Sequence, residues 1–338
     1  MVKITRRQYD LVDLVKFLLA ITIVAIHVGL PILKIIGRIG VPFFVIISSF
    51  LFFSKYNYLD STGRSKYFRK FEFRIFKLYL AWQVLYLFWA YKELENYIAW
   101  NGFGLKQAVK YVLLTFVYRD FSNTGWGTCW YLFAMIYALP VFLLMVKYIG
   151  PKITLAISLV IELYYVLSQG YTCVTHLFAI SPFFFPRVLI YIAFGYCLAT
   201  HQSALAKIAQ RFNLKVLALI FLILFLLENY MIFKLGGWLN TEEVFLTAPT
   251  ALLITMATLT SSVKLKHSRT YRQLSTFVYT SQLLFINPIN LYKNTHRLFI
   301  FDNNYIYFLI VAVCIALLYV VWWLLYRKYH LRILKYLV

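Results

Sequence analysis

Lys16 and His27 are eleven residues apart in an otherwise apolar run that opens with Asp10 and Asp13 and closes at Gly29. An α-helix turns by about 100° and rises about 1.5 Å per residue. Eleven residues therefore bring the two side chains within about 20° of one face, roughly 16 Å apart along the axis. Asp13 falls on nearly the same stripe, where it can neutralise the Lys16 ammonium. Imidazole is the side chain best suited to take a proton near neutral pH, so His27 is the candidate base. Each ionisable group costs roughly 2.5–3.5 kcal/mol inside a bilayer, so such a stripe belongs against protein or a wet cavity. Lys16 snorkelling to an interface and His27 serving only helix packing would account for the same residues.

Two further groups of residues could act with this stripe. Arg69, Lys70, Arg74 and Lys77 crowd the entry to a later apolar run, and the last three share a helical face. Guanidinium and ammonium groups there suit a phosphorylated ligand, although topology and lipid headgroups explain them too. Glu162, Arg187 and Glu228 are isolated ionisable groups in other apolar runs, at the expected depth of His27. A carboxylate among them could orient the imidazole, or an internal Glu–Arg pair could simply fix helix packing.

The elements that must position these residues are membrane helices. Of 338 residues, 62% are hydrophobic and only 14% charged, against about 25% charged in a soluble domain. Apolar runs alternate with short polar connections throughout, and no stretch has the composition of a soluble enzyme domain. The expectation is an all-α polytopic membrane protein forming one domain over 1–338. Ten spans can be drawn, near 11–33, 38–54, 72–92, 129–147, 152–169, 183–200, 214–234, 244–262, 274–293 and 304–326. With these spans, 23 of the 34 Lys and Arg residues fall on one side and nine on the other. The positive-inside rule then puts both termini in the cytoplasm.

The same placement explains the net charge of +22 without nucleic acid, because the basic residues collect in loops beside apolar runs. The long outer connection, about 93–128, has a moderately apolar middle that could lie in the interface, and a glycine-rich end from Ser122 to Trp130. Four cysteines show no metal-type spacing, and no metal site is expected. Phosphate-binding loops, dinucleotide fingerprints, nucleophile elbows and His-Glu-x-x-His pairs are all missing from the sequence.

Lys16 with His27, the segment Gly40-Val-Pro42-Phe-Phe-Val-Ile-Ile-Ser48-Ser49-Phe50-Leu51, and Lys70 with Arg74 together make the chain resemble the membrane-bound acyltransferase 3 family, bacterial multi-pass proteins that move acyl groups onto cell-surface sugars. Lys16 and His27 fit the family's basic residue, ten residues, histidine pattern. The segment from Gly40 through Val41, Pro42, Ser48 and Ser49 to Leu51 is similar to a second motif, with Ser49 where the family has glycine. Lys70 and Arg74 resemble its Arg-x-x-x-Arg element, with lysine in the first place. Weaker echoes are Trp130-Tyr-Leu-Phe and Phe194-Gly195-Tyr196. Gln282 ends a segment that in the family often ends in His, and it cannot titrate.

What the resemblance implies is an acyl-CoA donor, acetyl-CoA first, used as a substrate with no bound cofactor. The acceptor would be a hydroxyl of a cell-surface or secreted polysaccharide, or of its lipid-linked precursor. Arg69, Lys70, Arg74 and Lys77 would hold CoA phosphates, Lys16 would line the donor's path, and His27 would be general base or transient acyl carrier. The implied location is the bacterial cytoplasmic membrane, with no appended soluble domain. A transporter or flippase of lipid-linked saccharides is the alternative from another class, and a glycan polymerase ranks last.

Overall fold

The computed structural model describes residues 9–118, 127–237, 243–296, 299–329 and 332–337. The basic N-terminal residues Lys3, Arg6 and Arg7 and the glycine-rich turn at 122–126 lie outside them. Among the described residues the chain is all helix, with no strand. We number the principal helices α1 (Asp10–Val28), α2 (Leu33–Gly37), α3 (Gly40–Tyr56), α4 (Ser61–Leu85), α5 (Leu87–Asn101), α6 (Leu105–Leu113), α7 (Trp130–Ile149) and α8 (Pro151–Tyr165). They continue as α9 (Leu189–Thr200), α10 (Gln202–Arg211), α11 (Leu214–Lys234), α12 (Thr247–Leu259), α13 (Ser268–Ser281), α14 (Leu283–His296) and α15 (Asn304–Tyr329).

Six helical stretches among these residues are long and apolar enough to cross a membrane. They are α1, residues 33–56, α7, α8 with its extension to Gly170, α11 and α15. A seventh arises if Phe185–Thr200 and α10, bent by 87°, count as one span. Three of the ten expected spans differ for visible reasons. The span drawn at 72–92 is divided at Tyr86, its first helix starting at Ser61 where the Asp60 carboxylate caps Gly63 N–H at 3.2 Å. The span drawn at 274–293 is divided at Gln282. The one drawn at 244–262 is a helix of 13 residues, short of the roughly 20 that cross a bilayer. In the long connection, α5 runs on to Asn101 and α6 follows, with Tyr97 and Tyr111 rings 4.8 Å apart.

Helix α3 is the centre of the molecule. Phe43, Phe44, Phe50, Phe52 and Phe53 on it are all buried, and residues 33–56 are the most enclosed of the crossing stretches. Its tightest partner is α9, where Gly195 makes the approach possible. A Cβ built there would stand 2.5 Å from Ser49 Cβ and 2.8 Å from Phe50 N. Small residues that let backbones approach are the usual means of packing membrane helices, since lipid supplies no hydrophobic drive between them. Helix α15, by contrast, shows most of its surface, with Leu309, Val313, Leu317, Val320 and Leu324 exposed as lipid contact would have them.

Helix α1 lies against α13, and polar groups fasten its first turns. Asp10 Oδ2 accepts from Leu265 N–H at 2.9 Å, and Asp13 Oδ2 from Ser268 Oγ at 2.7 Å. The run drawn as 11–33 ends earlier, because Gly29 takes the left-handed conformation (φ 77°) and its N–H caps the carbonyls of Ala25 and Ile26. His27 therefore occupies the last turn of α1 rather than the middle of a continuous span.

Candidate active site

His27 opens onto a cavity of about 340 Å³ whose polar wall includes Arg38, Trp130, Arg187, Gln282 and Asn287. The chain brings these side chains together from residues 27 to 287. Four of the residues singled out by sequence, His27, Trp130, Arg187 and Gln282, thus share one chamber. A larger depression of about 740 Å³ lies on the outer face of α4, around Arg69, Lys70, Phe73 and Phe76. It holds neither His27 nor Lys16, so its size does not make it the site of chemistry.

Helix ends converge on the smaller chamber. Tyr86, where α4 gives way to α5, lines it, as does Gln282 between α13 and α14. Cys129, preceding α7 with a left-handed backbone (φ 54°), lines it as well. Broken backbone at membrane depth survives where it borders a cavity or finds internal partners. Here the partners are present. The Tyr86 hydroxyl donates to Thr280 O at 2.7 Å and accepts from the backbone N–H groups of Leu283 and Leu284, stitching the second break. Gln83 and Thr128 exchange hydrogen bonds of 3.3 and 3.1 Å, which fixes the approach to α7. Gln282 Nε2 donates to Tyr279 O, while its Oε1, on a side chain only 3% exposed, has no hydrogen-bond partner.

The other end of the α1 stripe is a separate, basic region. Lys16 Nζ stands 5.8 Å from the centre of the Phe44 ring, and Arg74 and Arg272 lie within electrostatic range of it. Asp13, expected to neutralise Lys16, is instead gripped by Arg272 through bonds of 2.9 and 2.6 Å, so Lys16 feels only its longer-range field. The same carboxylate holds the Arg272 proton still more firmly than usual. Ser48 hydrogen bonds with the Tyr131 hydroxyl beside Phe44.

Between the two ends stands an aromatic layer. Phe44, Tyr131 and Tyr279 contact one another with ring centres 5.2–6.1 Å apart. Lys16 borders the layer through Phe44, and the His27 chamber borders it through Tyr279.

The expected phosphate group is divided. Of Arg69, Lys70, Arg74 and Lys77, only Arg74 is placed near Lys16. Lys77 meets the C-terminal segment, 3.5 Å from Tyr336 Oη, and Arg69 and Lys70 border the outer depression. Arg272 was missed because a single arginine in a basic loop reads as ordinary topology.

The isolated ionisable groups also separate. Glu228 accepts from Tyr171 Oη at 2.6 Å and from the N–H groups of Phe245 and Leu246, so it anchors the entry to α12. Arg187 pairs with Glu243 at 2.6 Å, and Glu162 meets Tyr191 Oη at 3.1 Å. Neither Glu162 nor Glu228 is in the wall of the His27 chamber. Glu243 escaped the sequence reading because it ends a polar stretch of sequence, Asn240-Thr-Glu-Glu243, that reads as solvated. Arg187 in turn lies 5.4 Å over the Trp130 ring, which contacts Phe183.

The arrangement joins a proton acceptor, a guanidinium and hydrogen-bonding amides in a small enclosed space, with cations beyond an aromatic partition. That is the equipment for attack by a hydroxyl on an activated carbonyl. No curated protein and no solved structure matches the chain. A sequence model of the acyltransferase 3 family, described as an acyltransferase domain, matches residues 9–335, and the chain belongs to that family.

Proposed function

We propose that the protein transfers an acyl group, acetyl from acetyl-CoA first, onto a hydroxyl of a cell-surface or secreted polysaccharide or its lipid-linked precursor. The observation that carries this reading is the shared chamber of His27, Trp130, Arg187 and Gln282, set along one helix from Lys16. The membrane would be the bacterial cytoplasmic membrane, with ten crossings counted by treating the broken and short helices as spans, and both termini inside.

CoA phosphates rest at the Lys16, Arg74 and Arg272 end, where charge-assisted hydrogen bonds favour them. The pantetheine arm passes the Phe44, Tyr131 and Tyr279 layer and brings the thioester to His27. The acceptor hydroxyl, oriented by Gln282 Oε1, gives its proton to the imidazole as its oxygen attacks the thioester carbon. Arg187 faces the oxygen on which negative charge then develops. The C–S bond breaks, and the imidazolium returns its proton to the CoA thiolate. In the two-step version His27 itself takes the acyl group before passing it on.

Purified protein in lipid vesicles, supplied with acyl-labelled CoA inside and glycan outside, tests the reading. Label passing to glycan, and lost in a folded H27A protein, is the expected result. Glycan movement without label would instead assign a transporter of lipid-linked saccharides.

A further inference from the structure

Behind the chamber wall, Glu162, Tyr191, Glu243 and Arg187 form a buried quartet with residue exposures of 6, 1, 0 and 3%. Tyr191 Oη lies 3.1 Å from Glu162 Oε1 and 3.0 Å from each Glu243 carboxylate oxygen. Arg187 Nε donates to Glu243 Oε1 at 2.6 Å, and Nη1 to Pro182 O at 2.7 Å. A phenol owns one hydrogen and cannot donate to two carboxylates at full strength. Two ionised carboxylates against one guanidinium would also leave a net negative charge in a medium that solvates it poorly. The Glu162 Oε2 atom has no hydrogen-bond partner, a tolerable state for a carbonyl oxygen and a costly one for an ionised carboxylate.

We propose that this quartet is a proton-holding site, in which Glu162 carries the proton and Glu243 the charge that aims Arg187 at the chamber. Glu162 Oε1–H donates to Tyr191 Oη, Tyr191 donates to Glu243, and Arg187 donates to Glu243 from the other side. The quartet is then neutral as a whole. Glu243 takes the charge because it faces the guanidinium directly, whereas Glu162 faces only a phenol. Among the described residues Tyr165 and Tyr118 also stand within electrostatic range, and both are tied to Ser181. Glu243 is thereby a positioning residue: it holds the guanidinium at the chamber wall over Trp130. This second role rests on the reading of the chamber as the acyl-transfer site.

Infrared spectra of the detergent-solubilised full chain test the proton directly, with no substrate present. A carboxylic C=O band that shifts in deuterium oxide is expected in the wild-type-minus-E162Q difference spectrum, which cancels the other protonated carboxyls; in E243Q Glu162 becomes the counter-ion of Arg187, and the band is lost there too. A difference spectrum without this band overturns the assignment, and these two samples suffice even where E243Q does not fold. In acyl-transfer assays E162Q stays close to the wild type. E243Q loses kcat by roughly 100-fold, the scale of one misplaced oxyanion donor, with KM for acyl-CoA little changed. E243D recovers part of that loss. Equal losses in E162Q and E243Q would overturn the positioning role. A wild type that transfers no acyl group but shows the wild-type-minus-E162Q band would leave the proton site standing and sink the functional reading instead.

Discussion

Arg187 and Glu243 meet at 2.6 Å across 56 residues of sequence, with side chains 3 and 0% exposed. One end of this pair faces the His27 chamber and the other faces two more buried polar groups. Removing either partner strands a charge, which costs about 3–5 kcal/mol. R187Q is therefore expected to lower the unfolding temperature in detergent clearly. An R187M/E243L double replacement should recover much of that stability while activity stays lost, as thermal melts alongside acyl-transfer assays would show. Equal instability in the single and double variants would contradict the pairing.

His27 packs at the last turn of α1, where it opens onto the chamber. H27A should leave expression and the melting temperature close to the wild type. Acyl transfer should fall by about 10²–10⁴-fold, the range of a lost general base. If His27 carries the acyl group, rapid quenching of the wild type with labelled acyl-CoA alone gives label on the protein, and H27A gives none.

At the basic end, Arg74 and Arg272 lie near Lys16, whereas Arg69 and Lys70 border the depression on the outer face of α4. R74A is expected to raise KM for acyl-CoA several-fold and to lessen the loss of affinity with added salt. R69A and K70A should change KM much less. A reversed order would return the phosphate site to the outer depression.

Gln282 Oε1 is the buried acceptor that the chamber leaves without a partner. Q282L should raise KM for the saccharide acceptor, with little effect on KM for acyl-CoA, by about the 1–3 kcal/mol of one lost buried hydrogen bond. Steady-state kinetics with each substrate varied in turn would show the split.

At the α3–α9 contact, a methyl group on Gly195 would press into Ser49 and the α3 backbone. G195A is expected to destabilise the protein by about 1–3 kcal/mol. S49G should restore part of that loss in the double variant, because the glycine then stands on the opposite helix. Independent effects in a double-mutant cycle would contradict direct packing.

The all-helical fold and its central α1 and α3 were legible in the sequence because apolar length and the Lys16–His27 spacing are strong local signals. Lys16 and His27 lie on one unbroken helix, and Trp130, Arg187 and Gln282 join His27 through elements that apolar composition outlines. What remained hidden depends on distant partners. The breaks at Tyr86 and Gln282 carry no glycine or proline at the break itself, and hold because Tyr86 Oη reaches across to Thr280 and Leu283. Asp13 looked reserved for Lys16 by helical spacing, yet Arg272, 259 residues away, claims it. Glu243 looked like loop surface and proved to be sealed. Charge pairing across a fold leaves no mark on either neighbourhood in the chain.

The layer of Phe44, Tyr131 and Tyr279 has a consequence for the cell beyond catalysis. A catalyst served from both faces of an energised membrane risks becoming a leak for protons and small ions. On the proposed function, three rings in contact narrow the way between the Lys16 end and the His27 chamber, and the pantetheine arm would fill the opening that it makes between them. On that reading such an airlock would let the two proposed substrates meet while the compartments they come from stay electrically apart.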